Sequence, residues 1–189
     1  MGPITLLLGT LGASAAELCS TLRIQTRAAP AQGFVCKELS EGLALCAACG
    51  QRLLREAEIE WSSTPAEAVF SELAARSATT LSAQRPVRQE VADMPGTSYW
   101  VSQVGDGFDA AGLLQPERLR ELAGTTPVIG IPAVGTFLMW IPGDAETDKV
   151  MAVGVRRIFE EASHPVSDKV YRWHNGAWEV WGEVVESDG

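Results

Sequence analysis

The sequence predicts an α+β fold, with an antiparallel sheet that carries helices on one side. The first observation is the stretch from Thr126 to Ile141, where two apolar runs of strand length flank a break at Pro132 to Gly135. Such runs are typical of consecutive strands whose two faces are both covered. The second observation is Asn175-Gly176, which stands between two segments rich in aromatic and β-branched residues. This pattern predicts a β-hairpin with a two-residue type I′ turn.

The composition indicates a globular chain with an acidic C-terminal half. Of its 189 residues, 46% are apolar and 21% are charged, and the net charge is −9. Residues 1–97 carry 8 basic and 10 acidic side chains, whereas residues 98–189 carry 7 and 14. An acidic surface lacks the cations that phosphate contacts need, so nucleic acid is not an expected partner. Another protein, and a basic one in particular, fits this charge.

Residues 1–97 are predicted to form an N-terminal α+β half. Its first 16 residues contain an apolar run followed by Ala13-Ser14-Ala15, a pattern shared by cleaved signal peptides and by a first helix packed on the core. No Lys or Arg precedes the run, which favours the helix and a cytoplasmic location. A signal peptide in residues 1–15 would instead mean export. The run is too short to span a membrane.

The rest of this half is predicted to contain two strands, two helices and a connector. Short strands separated by a turn are expected between Thr21 and Lys37, followed by a mostly helical segment from Leu39 to Glu60. Thr64-Pro65-Ala66-Glu67 matches a capping box with proline at the first helical position, which predicts another helix. Residues 77–97 are polar and contain prolines, as a connector or edge segment does. The order helix, strand, strand, helix predicts a degenerate copy of the unit that follows.

Residues 98–189 are predicted to fold in the order strand, helix, strand, strand, helix, strand, strand. Ser98 to Val104 alternates as a strand, and a helix that continues from Pro116 ends at Gly124. After the two central strands, Asp144 caps a helix with one apolar face. The hairpin at Asn175-Gly176 completes this half.

The two-residue turn also predicts the register of the hairpin and the face on which each tryptophan lies. The opposing pairs in this register are Tyr171 with Val180, Arg172 with Glu179, and Trp173 with Trp178. Trp181 falls on the face opposite to Trp173 and Trp178. Either a helix covers that face, or Trp181 is exposed and marks a binding patch.

Residues 99–180 resemble the YtpQ family of uncharacterised bacterial proteins. The most specific motif is Gly105-Asp106-Gly107-Phe108-Asp109-Ala110-Ala111, which is similar to the family's run of aspartate, glycine, aromatic residue, aspartate and alanine before a helix. Val128 to Pro132 resembles the family's strand that ends in proline, and Thr136 to Ile141 the strand after it. Asn175-Gly176 lies where the family has its terminal hairpin.

The chain departs from this family in two places. Family members tend to carry an acidic residue a few positions after the strand-ending proline, where this chain has Gly135. The N-terminal half, which holds all the cysteines, matches the family poorly. The resemblance implies a fold more than an activity, because members of the family have no established biochemical function.

The four cysteines are Cys19, Cys36, Cys46 and Cys49, and they allow several kinds of chemistry. Cys46 and Cys49, at the start of a helix, would form a redox couple, because the helix end lowers the pKa of a thiol. With Cys19 and Cys36 they would form a zinc site of four thiolates. Export would allow disulfides instead. The neighbouring residues are apolar rather than cationic, which favours inert buried thiols.

Asp106 and Asp109 are the other candidate pair, since two carboxylates serve acid/base catalysis or hold a divalent cation. Asp109 also stands where a helix cap belongs, and Asp106 lies between two glycines of a turn, so local structure accounts for both. The sequence contains no Gly-x-Ser-x-Gly, phosphate-loop or His-Glu-x-x-His motif.

Together these features predict a non-enzymatic, acidic module that binds another protein and has no cofactor, with Trp181, Asp106 and Asp109 as candidate binding residues. The alternative is a metal-dependent or thiol-dependent protein that uses Cys46 and Cys49, with zinc as the cofactor.

Overall fold

The computed structural model describes residues 22–50, 52–62, 65–83, 87–91, 94, 96–102 and 110–182. Within these residues the chain contains helices and two antiparallel sheets, and the predicted α+β class is confirmed. The predicted first element, in residues 1–16, lies outside the described residues.

The smaller sheet belongs to the N-terminal half. Its strands are β1 (Leu22–Arg27), β2 (Cys36–Ser40), β3 (Leu43–Cys49) and β4 (Arg52–Leu53). The order is β1-β3-β2, and β4 pairs with β3. The central strand β3 is buried from Leu43 to Ala48. The predicted strands between Thr21 and Lys37 therefore do not pair with each other, because β3 lies between them.

The prediction of a helix from Leu39 to Glu60 is wrong for most of that segment. The sequence Leu-Ala-Leu-Cys-Ala-Ala-Cys forms β3, and helix α1 begins only at Glu56 (Glu56–Ser62). A short apolar run that is buried on both faces shows no alternation of apolar and polar residues, so periodicity cannot distinguish a strand from a helix. Its small side chains fit a helix equally well, and only pairing with β1 and β2 on either side selects the strand.

Helix α2 (Ala66–Ala83) follows the proline of the predicted capping box and buries Val69 and Leu73 against the small sheet. The end of α2 and strand β5 (Val87–Glu90) both lie in residues 77–97, the predicted connector. Between Leu22 and Ala83 the described order is four strands and then two helices. The predicted degenerate copy, helix, strand, strand, helix, is therefore wrong.

The larger sheet has six strands in the order β10-β9-β7-β8-β6-β5, all antiparallel. Its other strands are β6 (Ser98–Ser102), β7 (Val128–Gly130), β8 (Phe137–Trp140), β9 (Val170–His174) and β10 (Ala177–Val180). A short 3-10 helix (Ala111–Leu114) and α3 (Pro116–Ala123) lie between β6 and β7, and α4 (Ala145–Glu161) lies between β8 and β9. Asp144 caps α4 by accepting from the backbone N–H groups of Glu146 and Thr147.

The hairpin of β9 and β10 has the predicted register, with Trp173 opposite Trp178 and Arg172 opposite Glu179. Asn175 and Gly176 both have positive φ, at 48° and 83°, as a type I′ turn requires. This part of the prediction is confirmed.

The expectation of helices on one side of a single sheet is wrong, because the larger sheet is covered on both faces. One face, with Ile129 and Tyr171, packs in the main core with the small sheet, α2 and α3. The other face, with Val128 and Trp140, forms a second core with Val155 of α4. Residues from both predicted halves share the main core, and the division at Ser98 stays a prediction. Among the described residues, no helix is long and apolar enough to cross a membrane.

Candidate binding surface

Two of the cysteines form a disulfide within the small sheet. Cys36 on β2 and Cys46 on β3 lie directly opposite each other in the antiparallel register and are joined by a disulfide. Cys49 at the end of β3 is also disulfide-bonded, and no cysteine of the described residues is free. Cys19 lies outside the described residues.

The reading of Cys46 and Cys49 as a redox couple at a helix start is therefore wrong. Both lie on a strand, where positions three apart face opposite sides of the sheet. The sulfur of Cys46 is bonded to Cys36 and is fully buried. Inert buried thiols, which the apolar surroundings favoured, are also not what the structure shows. Within the described residues no group of three or more His, Cys, Asp or Glu is arranged to hold a metal ion.

Of the remaining predicted binding residues, the structure describes only Trp181. Asp106 and Asp109 lie outside the described residues. Trp181 is half-buried and packs against the second core, on the face that α4 covers. The backbone N–H of Trp181 donates to the carbonyl of Val170 at 2.8 Å. Of the two readings of Trp181, the structure favours the covered one.

A polar cluster that the sequence did not reveal joins the two sheets. The hydroxyl of Tyr171 donates to the carbonyl of Glu41 at 3.0 Å, and the Ser167 hydroxyl lies 2.6 Å from that of Tyr171. The backbone N–H of Lys169 donates to Ser167 Oγ at 3.2 Å, and the Lys169 ammonium pairs with the Glu41 carboxylate. Ser167 and Tyr171 are buried. The cluster resembles a serine–tyrosine–lysine catalytic group in composition, but its hydroxyls are occupied by structural partners and are closed to a substrate.

Tyr171 gives this cluster a pH dependence. Burial raises the pKa of Tyr171 to about 12, above the value of about 10 that an exposed tyrosine has in the unfolded chain. The neutral hydroxyl therefore stabilises the fold fully below pH 10, and this contribution is lost as the pH rises from about 10 to 12.

Tyr171→Phe is expected to lower the free energy of unfolding at pH 7 by about 1 to 3 kcal/mol, because the Glu41 carbonyl and the buried Ser167 hydroxyl lose a partner. The variant should also lose less of its remaining stability than the parent between pH 10 and 12. Chemical denaturation across this pH range measures both effects. Tyr99→Phe, which changes the only other tyrosine, is the control and should retain the parent's decline. A Tyr171→Phe variant as stable as the parent at pH 7 would contradict this role.

The outer edge of the larger sheet at β5 is an exposed feature of the described structure. All four side chains of β5 are exposed, and Val87, at 62%, is the most exposed large apolar residue among those described. On its inner side β5 pairs with β6, with Val87 opposite Val101 and Glu90 opposite Ser98. No described strand lies on its outer side. At the other end of this sheet, β10 contacts β2 of the small sheet.

The direction of the backbone groups along β5 follows from one hydrogen bond and the register. The N–H of Val91 donates to the carbonyl of Thr97 on the β6 side at 2.9 Å. Along an antiparallel strand the N–H and C=O of a residue point the same way, and successive residues alternate. Val87, Gln89 and Val91 therefore bond inward, while the N–H and C=O groups of Arg88 and Glu90 point outward.

Side-chain contacts also join β5 to β6. The guanidinium of Arg88 lies over the ring of Trp100, 5.7 Å from its centroid, and donates to Ser98 Oγ at 2.9 Å. Across the other face, the Tyr99 hydroxyl donates to Gln89 Oε1 at 2.8 Å. These contacts add to the backbone pairing of only four residues that joins β5 to β6, and so they order the edge strand. The edge is thus preorganised to accept a further strand.

Sequence reasoning left residues 77–97 as either a connector or an edge segment, because the local signal for a strand at β5 is weak. The segment Val87 to Val91 has apolar residues only at its two ends and charges between them, a pattern shared by loops. The neighbouring prolines also indicate a connector.

Comparison of the chain with protein-family models, with curated proteins and with solved structures finds no match. The resemblance of residues 99–180 to the YtpQ family therefore stays a prediction.

Proposed function

We propose that this chain is a non-enzymatic protein-binding module that accepts a strand from another protein molecule at the outer edge of β5. The observation that carries the proposal is an ordered edge strand with four exposed side chains and two outward-facing pairs of N–H and C=O groups. Added strands gain affinity from such backbone groups and specificity from the side chains beside them. Val87 supplies an apolar contact, and Arg88 and Glu90 supply charges of both signs.

The net negative charge of the chain favours a basic partner, but it does not by itself determine which strand binds at β5. Residues 98–189 carry 7 basic and 14 acidic side chains, and this excess attracts a basic protein at long range. The β5 edge itself carries one basic and one acidic residue. Its own selection of a partner therefore depends on the pattern of charges along the added strand rather than on their sum.

The disulfides favour export over the cytoplasmic location that the N-terminal sequence indicated. Disulfides form and persist in oxidising compartments and are rare in the cytosol. The bond between Cys36 and Cys46 and the bonded state of Cys49 fit the signal-peptide reading of residues 1–15. Alkylation of thiols in intact source cells, followed by peptide mapping, tests this location: Cys36 and Cys46 should resist labelling until a reductant is added, and labelling without it would contradict export.

A site-specific photo-crosslinker tests strand addition directly. Placed at Val87 on β5, it should capture a protein through an extended segment that peptide mapping identifies. The control position is Val153 on α4, which is also an exposed valine, at 49% against 62%. Equal capture at the two positions, or none at Val87, would contradict the proposal.

A proline variant then separates backbone pairing from side-chain contact. Glu90→Pro removes an N–H that points outward and is not used by β6, so the fold should tolerate it, while capture at Val87 should fall at least about tenfold. Glu90→Ala keeps the N–H and should retain most of the capture. Circular dichroism should show both variants folded. Unchanged capture by Glu90→Pro would exclude backbone pairing at this edge.

A further inference from the structure

We infer that the strand accepted at this edge is β5 of a second copy of the chain, so that two molecules pair their six-stranded sheets across a two-fold axis. This inference rests on the proposed function, in which β5 accepts a strand. It names the partner from the backbone register, from the charges on the strand, and from the exposed valine.

The backbone limits the registers in which two β5 strands can pair. An antiparallel ladder needs outward groups on both strands, and on β5 these belong to Arg88 and Glu90. Three arrangements meet this need: Arg88 opposite Arg88, Glu90 opposite Glu90, and Arg88 opposite Glu90 of the second copy. Every register shifted by one residue sets an outward group against an inward one.

The charges select one of the three arrangements. Like charges directly opposite each other on adjacent strands destabilise pairing, and opposite charges stabilise it. The third arrangement sets Arg88 opposite Glu90 of the second copy, and the two-fold axis repeats the pair with the roles exchanged. A strand of an unrelated protein would have to supply an acidic and a basic residue at this spacing, whereas a second copy supplies them by symmetry.

The same register also covers the exposed valine. In this register Gln89 lies opposite Gln89 of the second copy at the two-fold axis, and Val87 lies opposite Val91 of the second copy. Both valines are on the face of the sheet where Val87 neighbours Val101 of its own chain. Val87 is 62% exposed in the single chain, and Val91 is half-buried against the second core. Pairing therefore extends the apolar surface of that face instead of leaving Val87 in water.

The net charge of each copy opposes this association only at long range. Two chains of net charge −9 repel one another, but at an ionic strength of about 0.15 M the repulsion is screened beyond about 8 Å. Arg88 and Glu90 of opposing strands lie within that distance, with Cα atoms about 5.5 Å apart in a hydrogen-bonded pair. The local pairs therefore decide the register.

Charge exchange at β5 tests the inference by sedimentation equilibrium of the whole chain at about 0.15 M salt. The parent should show a reversible monomer–dimer equilibrium. Glu90→Arg sets two arginine pairs across the axis and should weaken dimerisation at least about tenfold, and Arg88→Glu should do the same with two glutamate pairs. The double exchange R88E/E90R restores opposite charges and should dimerise more tightly than either single variant. The control for Glu90→Arg is Glu160→Arg on α4, which makes the same change in net charge at an exposed position away from β5. It should leave the equilibrium unchanged.

The outcomes separate the inference from the proposed function. Single variants that dimerise like the parent, or a double exchange no tighter than the singles, overturn the inferred register. A parent that stays monomeric while the Val87 crosslinker captures a different protein overturns the second copy as the partner and leaves the proposed function standing. A monomeric parent with no captured protein overturns both. Circular dichroism and thermal unfolding exclude loss of folding as the cause.

Discussion

Trp178→Ala is expected to lower the free energy of unfolding by about 3 to 5 kcal/mol. Trp178 is 4% exposed and belongs to the main core, where its ring meets Trp173 edge to face with centroids 5.3 Å apart. Its indole N–H donates to the carbonyl of Leu113 at 3.0 Å. The alanine leaves a cavity, and it also leaves this buried carbonyl without its partner. Urea denaturation at pH 7 measures the change.

Trp178→Phe separates the two parts of this effect. The phenyl ring fills most of the cavity and keeps an aromatic contact with Trp173, but it cannot donate to Leu113. A smaller loss, of about 1 to 3 kcal/mol, is therefore expected. An alanine variant within about 1 kcal/mol of the parent would mean that the hairpin does not anchor the main core.

Asn175→Pro is expected to lower the free energy of unfolding by about 3 kcal/mol or more. Asn175 has φ of 48°, and the proline ring holds φ near −65°, so the turn that sets Trp173 opposite Trp178 cannot form without strain. Thermal or chemical unfolding measures the loss, and near-ultraviolet circular dichroism reports the tryptophan pair.

Asn175→Gly is the matched control for this turn. Glycine adopts positive φ without steric cost, so the variant should remain within about 1 kcal/mol of the parent. A proline variant that melts with the parent would contradict the hairpin register. The hairpin lies at the end of the sheet opposite to β5, so Asn175→Gly should leave capture at Val87 unchanged.

Local chemistry explains why the hairpin could be predicted from sequence. Asn175 and Gly176 are residues that accept positive φ, and the turn then sets every pair of the two strands. Asp144 is similar, since a cap acts on backbone groups two and three residues away. In each case the decisive interaction lies within a few residues.

Strand β3 shows where this reasoning fails. Leu43 to Ala48 could form a buried helix or a buried strand, and its small residues favour neither strongly. The choice is made by backbone pairing with β1 and β2. The same pairing decides the chemistry of the cysteines, because it places Cys36 directly opposite Cys46. Since β3 is a strand, Cys46 and Cys49, three positions apart, face opposite sides of the sheet.

The sequence by itself determined the α+β class, the hairpin register and the capped start of α4, because turns and caps are local interactions. Only the tertiary structure decided that helices cover both faces of the larger sheet, that Tyr171 is held by Glu41 in a turn 130 residues away, and that β5 is the outermost of the described strands. These features depend on contacts between residues distant in sequence, whose pairing is selected by burial of the whole core and by satisfaction of backbone hydrogen bonds.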